Sequence, residues 1–190
     1  MADSNMTKKA IAAALKELTL TEPFSKISIG DICKQCKVSR KTFYYHFKDK
    51  DDLVNWIFDT EFVLRSQKKT YTSVWQGLED LFRYFYRNHA FYRKVLEQTG
   101  PNSFAFYFND LLHSVFVDHL KAILGDAHVS EIQVNFLADG VVCMLKRWLA
   151  QSDCPTPEDL IGELKTGTGI LAGYIFHTMP NEQSRSENEK

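Results

Sequence analysis

The stretch "DICKQCKVSRKTFYYHFKDKDDL", residues 31–53, decides the fold. Phe43 and Phe47 stand four positions apart, so on a helix they share one face and bury together. That leaves Arg40, Lys41, Thr42, Tyr44, Tyr45 and His46 around the other faces of a short helix, with Lys48 and Lys50 just beyond it. Ser39 precedes this helix and suits its N-cap, because a serine oxygen accepts an otherwise unpaired amide hydrogen of the first turn. Upstream, "SIGDICKQC" reads as a second short helix capped by Ser28, with Ile29, Ile32 and Cys33 facing inward. Between them "CKVS" leaves room only for a tight turn, with Val38 plugging the core. Asp49 caps the next helix, "KDDLVNWIFDTEFVLRSQ", whose Leu53, Ile57 and Phe62 continue the buried stripe.

The preceding "TKKAIAAALKELTL" places Ala10, Ile11, Ala14, Leu15 and Leu18 on one helical face. Thr7 suits its N-cap and Pro23 stops it. Three helices with a tight turn between the second and third describe a helix-turn-helix, in which the last helix lies in the major groove of DNA. Arg40 and Lys41 suit guanine edges or phosphates, and Thr42 suits a thymine methyl or a phosphate. Tyr44 and His46 can donate to phosphate oxygens, while Lys48 and Lys50 extend a basic rim. Most such contacts position the protein, and a minority read bases.

The charge distribution agrees. Residues 1–50 hold ten Lys/Arg against five Asp/Glu, and residues 51–190 hold thirteen against nineteen, for a net charge of −1. A basic first third on an acidic remainder fits a double-stranded DNA partner for that third alone. The 190 residues are 44% hydrophobic, ample for a buried core. No apolar run approaches the roughly 18 residues of a membrane span, and "MADSNMTKK" lacks the apolar segment of a signal peptide. The expectation is a cytoplasmic protein with no membrane partner, whose four cysteines stay reduced.

At this point the sequence resembles the tetracycline-repressor (TetR) family over about residues 7–54. The family's pattern is an Ile-Ala pair, an Ala-Gly-Val-Ser turn, an aromatic-rich "YxHF" and a "K-x-x-L". Ile32-Cys33, Cys36-Lys37-Val38-Ser39, Tyr44-Tyr45-His46-Phe47 and Lys50 through Leu53 stand in those places. Within the family, "FYYHFKDKDDLVNWIF" is especially similar to regulators of dihydroxyacetone kinase operons. The resemblance implies that Ser28, Tyr44, His46 and Lys50 hold the DNA backbone while Lys41, Thr42 and Tyr45 face the groove. It also implies a helical body with a ligand cavity and a homodimer made by the last two long helices. Repression is the family's default, with activation, or control by a coregulator protein rather than a small molecule, as the alternative. Lys37 departs from the pattern, standing where the family has glycine. If the backbone there has positive φ, lysine costs on the order of 1 kcal/mol relative to glycine, and it can also add a phosphate contact.

The rest of the chain reads as helical, over 72–88, 89–98, 102–124, 129–151 and 157–177, punctuated at Gly100-Pro101, Gly125-Asp126 and Cys154-Pro155. The fold class is therefore all-α, with a helix-turn-helix domain over 1–52, an effector-binding and dimerisation domain over 53–178 and a polar, frayed tail over 179–190. Aromatics exceed what one core face needs. Trp75, Phe82, Tyr86 and Tyr107, with His113, either line an effector pocket or fill the core. In the last two helices, small residues such as Gly140 and Gly173 permit close approach. Phe136, Val141, Leu145, Trp148, Ile170 and Tyr174 pack around them in the expected dimer interface. Cys33-x-x-Cys36 lacks a second ligand pair for zinc, and His113 and His119 lie off a common face, so no metal and no cofactor are expected. No nucleophile–base pair or phosphate-cradling glycine loop points to an enzyme.

Overall fold

The computed structural model describes residues 2–125 and 129–178; the expected polar tail over 179–190 lies outside them. Among the described residues every regular element is helical. α1 spans Ala2–Thr21, a 3₁₀ turn spans Phe24–Lys26, α2 is Ile29–Gln35, α3 is Arg40–His46 and α4 is Lys50–Phe58. α4 runs on through a π-helical turn at Asp59–Val63 and a last turn at Leu64–Ser66. The body comprises α5 (Val74–Arg87), α6 (His89–Val95), α7 (Phe104–Leu124), α8 (Glu131–Ala150) and α9 (Pro157–Thr178).

The local signals act as physics requires. Ser28 makes a full capping box with Asp31, and the Ser39 and Asp49 side chains accept from the amides of Thr42 and Asp52. Phe43 and Phe47 are buried with Ile11, Leu15, Ile32 and Leu53 in the core of the first three helices. α1 departs from expectation in two ways: it starts five residues before Thr7, which therefore sits inside the helix rather than capping it, and Ala10 is exposed. The buried stripe instead uses Ile11, Ala12, Ala14, Leu15 and Thr19.

Phe58 links this core to the body. It is fully buried, with ring centroids 5.3 Å from Phe62, 5.7 Å from Phe85, 5.4 Å from Phe104 and 5.5 Å from Phe108. Aromatic rings at such spacings attract one another beyond the area they bury. α1 also docks on the body by polar contacts. Lys94 of α6 donates to the Thr19, Leu20 and Glu22 carbonyls that end α1 (2.5, 3.3 and 3.2 Å), satisfying groups that a helix C-terminus leaves open. In the body α7 packs most extensively on α8, and α9 lies on α5.

Candidate nucleic-acid interface and body cavity

The turn between α2 and α3 sets the angle of the exposed helix. Lys37 has φ of 56°, in the left-handed region where glycine is favoured. The Val38 amide donates to the Cys33 carbonyl at 3.0 Å and the Lys37 amide to the Lys34 carbonyl at 3.4 Å. This is the Schellman pattern, which a left-handed residue makes possible. The family's glycine position thus keeps its geometry here with lysine in place.

α3 presents what its spacing predicts. Tyr44 is 58% and Tyr45 82% exposed, and Arg40, Lys41 and Lys48 are exposed beside them. Two large aromatics in water on one seven-residue helix are not there for packing, since Phe43 and Phe47 already occupy its buried side. Tyr45 meets the half-buried His46 edge-on at 4.9 Å. The Thr42 hydroxyl is engaged with Ser39 at 2.8 Å, so the two form one polar unit at the helix start. Arg40 leans back over α2, and a Cβ on Gly30 would lie 2.7 Å from its Nη2, so Gly30 clears the space it uses. The Ser28 hydroxyl, followed by its amide and the charge of Lys34 and Arg40, holds the Asp31 carboxyl below its ordinary range. Ser28 is exposed at the α2 N-terminus.

Lys50 is the exception in this set. Its ammonium donates to the carbonyls of Phe24 (2.7 Å) and Ile27 (3.1 Å) and lies 4.4 Å from the Phe24 ring centre. Burial holds its pKa below the ordinary lysine value. The side chain staples the 3₁₀ turn to α4, leaving one N–H of three for anything else.

The cysteine pair is packing material. Burial raises both thiols, and Cys36 Sγ donates to the Ile32 carbonyl at 3.1 Å. Among the described residues no three His, Cys, Asp or Glu gather as ion ligands.

The body contains an apolar cavity of about 460 Å³, between the end of α4, α5 and α7. Phe62, Val63, Leu78, Leu112 and Phe116 line it, and Gln67 and His119 are among its polar groups. None of Trp75, Phe82, Tyr86, Tyr107 and His113 lines this cavity. Phe82 is fully buried against Trp148 (5.4 Å), and Tyr86 stacks on the outer side of Trp148 (5.9 Å). Trp75 carries the Lys165 ammonium over its ring at 5.9 Å. The Tyr107 hydroxyl donates to Asp59 of the π-turn, and burial and then this bond push it well above the usual tyrosine range. The histidine of α7 at the cavity is His119, six residues beyond His113.

Sequence reasoning also passed over a polar relay at the π-turn. Lys16 of α1 pairs with both Glu61 oxygens at 2.6 Å and reaches Asn88 Oδ1 at 3.3 Å. Tyr84 donates to Glu61 at 3.0 Å, and its oxygen lies 2.7 Å from that of Tyr92. Burial, then the neighbouring Glu61 charge, raises Tyr84; burial and the Tyr84 oxygen raise Tyr92. Lys16 lies 45 residues from Glu61 in sequence, and nothing local marks either as a partner.

The face expected to pair two chains is divided. Leu145 and Trp148 are buried within the single chain, where the Trp148 indole donates to the Pro155 carbonyl at 2.9 Å; they belong to the body core. Val141 is half-buried. In contrast Phe136 is 75%, Ile170 69% and Tyr174 66% exposed, joined by Ile132, Leu171 and Phe176. A Cβ on Gly140 or Gly173 would meet nothing within 4 Å.

Comparison with known proteins accords with this architecture. The family described as "Bacterial regulatory proteins, tetR family" matches residues 10–57, and "Transcriptional regulator C-terminal region" matches residues 73–167. The HTH-type dhaKLM operon transcriptional activator DhaS of Lactococcus lactis subsp. lactis (strain IL1403) is 31% identical over 153 residues, covering 77% of this chain and 81% of the relative. A solved structure of a dihydroxyacetone kinase operon activator DhaS is 25% identical with a TM-score of 0.59, covering 89% of this chain and 96% of that one. A TetR transcriptional regulator from Streptococcus agalactiae 2603V shares the fold at a TM-score of 0.65, with 24% identity over 85% of this chain and 93% of that one. With an exposed recognition helix on a left-handed turn, and with both halves matched, the chain belongs to the TetR family of transcriptional regulators.

Proposed function

We propose that this regulator acts as a homodimer on a pseudo-palindromic operator, with α3 in the major groove. The observation that carries this is the pair Tyr44 and Tyr45, held in water beside Arg40, Lys41 and Lys48 while Phe43 and Phe47 anchor the helix. In this reading Tyr44, His46, Ser28 and Lys48 hold phosphates, and Lys41, Thr42 and Tyr45 face bases. Ser39 orders Thr42 rather than touching DNA itself. Lys50 contributes chiefly by fixing the turn that supports α4. The exposed apolar faces of α8 and α9, with Phe136, Gly140, Ile170, Gly173 and Tyr174, join two copies in a four-helix contact. Their separation then sets the two recognition helices about 34–36 Å apart, one turn of DNA.

The cavity is the effector site in this proposal, since its size falls in the range of small-molecule pockets, about 300–1,000 Å³. That favours a small molecule over a docked coregulator as the signal. For the direction of control, the relative from Lactococcus lactis is named an activator, and we carry that direction over in preference to the family's repressor default. The test is binding of the purified protein to the DNA flanking its gene, titrated against salt and against random DNA. Tyr44→Ala should weaken binding to all sequences and flatten the salt slope with the fold intact. Wild-type affinity in this variant would remove α3 from the interface.

A further inference from the structure

A second cleft adjoins the apolar cavity and has the opposite character. It lies between α1, the end of α4 and α5, with a volume of about 470 Å³. Five cations line it, Lys16, Arg65, Lys69, Arg83 and Arg87, against two carboxylates, Glu61 and Asp80. Three of the cations are accounted for. Lys16 pairs with Glu61, Lys69 with Asp80, and Arg83 with Glu79 (2.6 Å) and Glu158 (2.7 Å). Arg65 and Arg87 form no ion pair or side-chain hydrogen bond among the described residues. Two unmatched guanidiniums thus face one cleft in a part of the chain whose carboxylates outnumber its cations, nineteen to thirteen.

The cleft and the cavity adjoin across shared residues. Phe62, Ser66 and Tyr71 line both. At one of these shared residues, the Tyr71 hydroxyl donates to Asp80 Oδ2 at 3.0 Å. Taken together as one groove, the two offer an apolar end at Phe116 and Leu112 and a cationic end at Arg65 and Arg87. Guanidinium groups bind carboxylates and phosphates through paired N–H donors, and bind uncharged groups weakly by comparison.

We propose that the groove takes one amphipathic anion, its hydrocarbon or aromatic part in the cavity and its carboxylate or phosphate between Arg65 and Arg87. This rests on the cavity being the effector site and adds the chemical class of the effector. Neither end suffices in this arrangement. The apolar end selects against free inorganic anions, and the cationic end selects against neutral hydrocarbons.

The test is calorimetric titration of the full chain at fixed ionic strength with octyl phosphate, octanoate, octanol and inorganic phosphate. Either or both eight-carbon anions should bind at least about tenfold tighter than octanol, a gain typical of a charge-assisted pair, and the tighter of the two identifies the preferred head group. Inorganic phosphate should bind more weakly than octyl phosphate. In Arg65→Gln/Arg87→Gln the advantage of the anions should vanish while octanol affinity stays unchanged, both positions being exposed. If octanol matches the anions, or the double variant keeps their advantage, the cationic end is wrong and the effector cavity stands. Inorganic phosphate binding as tightly as octyl phosphate would overturn the amphipathic requirement. If no eight-carbon probe binds, the cavity reading falls and this proposal with it.

Discussion

Replacing Lys37 by glycine tests the turn that aims α3. The lysine holds φ of 56°, and a left-handed residue with a Cβ costs about 1–2 kcal/mol relative to the right-handed form. Glycine removes that cost but has more freedom to lose on folding, which returns about 0.5–1 kcal/mol. The net expectation for Lys37→Gly is a stabilisation of about 0.5–1 kcal/mol. For a chain of this length that raises Tm by about 1–4 °C. Lys37→Ala is the control, because it keeps the Cβ and with it the strain, so its Tm should stay near that of the parent. Lys37 is also exposed, two residues before the Ser39 cap of α3. If its ammonium meets a phosphate, both variants lose one contact, and the slope of log affinity against log salt falls by about 0.9. Thermal melts followed by circular dichroism, paired with salt titrations of DNA binding, separate the two effects. A Lys37→Gly protein that melts at or below the parent, with Lys37→Ala equal to it, would refute the strain argument.

The remaining expectations address the support of the head, the buried phenols and the paired face. Lys50→Met should cost about 2 kcal/mol, the scale of charge-assisted hydrogen bonds, and lower Tm by about 4–8 °C; an unchanged Tm with a reduced salt slope would instead assign its ammonium to DNA. Tyr71, pushed up to about 12 by burial and Asp80, and Tyr84, Tyr92 and Tyr107, all raised first by burial, keep their protons in the folded chain. Their contribution to stability is complete below the ordinary tyrosine value near 10 and is lost as pH rises from there through the folded values. In a spectrophotometric titration, the phenolate signal of Tyr71, Tyr84, Tyr92 and Tyr107 should therefore appear only above the ordinary tyrosine value near 10, and their ionisation near pH 10 without unfolding would contradict the burial. Phe136→Asp, at a position 75% exposed in the single chain, should leave the fold within about 0.5 kcal/mol yet sediment as a monomer; a dimer of undiminished affinity would place the interface elsewhere.

The helix-turn-helix was legible because its determinants are local. Ser28, Ser39 and Asp49 each lie within three residues of the amides they cap, and Phe43 and Phe47 declare a face by spacing alone. The exposed Tyr44 and Tyr45 follow from the same spacing. The body was legible as helices but not as surfaces. α7 is apolar on several sides, so periodicity states which residues share a side without stating which neighbour it meets. For that reason the pattern points to His113 while His119 reaches the cavity. Phe82 carries the side chain of a pocket and Leu145 and Trp148 those of an interface, and only the folded chain shows that all three are buried in the body core. The π-turn has no signature in "DTEFV", since an extra residue per turn is stabilised by partners distant in sequence, here Lys16, Tyr84 and Tyr107.

That turn bears on how a signal could cross the molecule. A π-turn inserts one residue into an α-helix and so rotates the remainder of the helix by about 100°. In Asp59–Val63 it divides the side chains between two tasks. Asp59 and Glu61 bind Tyr107 of the body and Lys16 of the head, while Phe62 and Val63 form the cavity wall. Glu61 and Phe62 are adjacent on one backbone, so a displacement of the wall is a displacement of the head's anchor. The head also holds the body through the Lys94 clamp on the end of α1, which does not line the cationic cleft, and through the packing around Phe58, whose ring neighbours Phe62 and Tyr84 do. The Lys16–Glu61 pair lines the cationic cleft, its side chains being 26% and 34% accessible. In the proposed arrangement, an anion at Arg65 and Arg87 would compete with Glu61 for the Lys16 ammonium in the same cleft, whereas a neutral ligand would act only through the wall. On that proposal the two ends would act on one turn separately, and a ligand that fills both would bias the head more than either part alone.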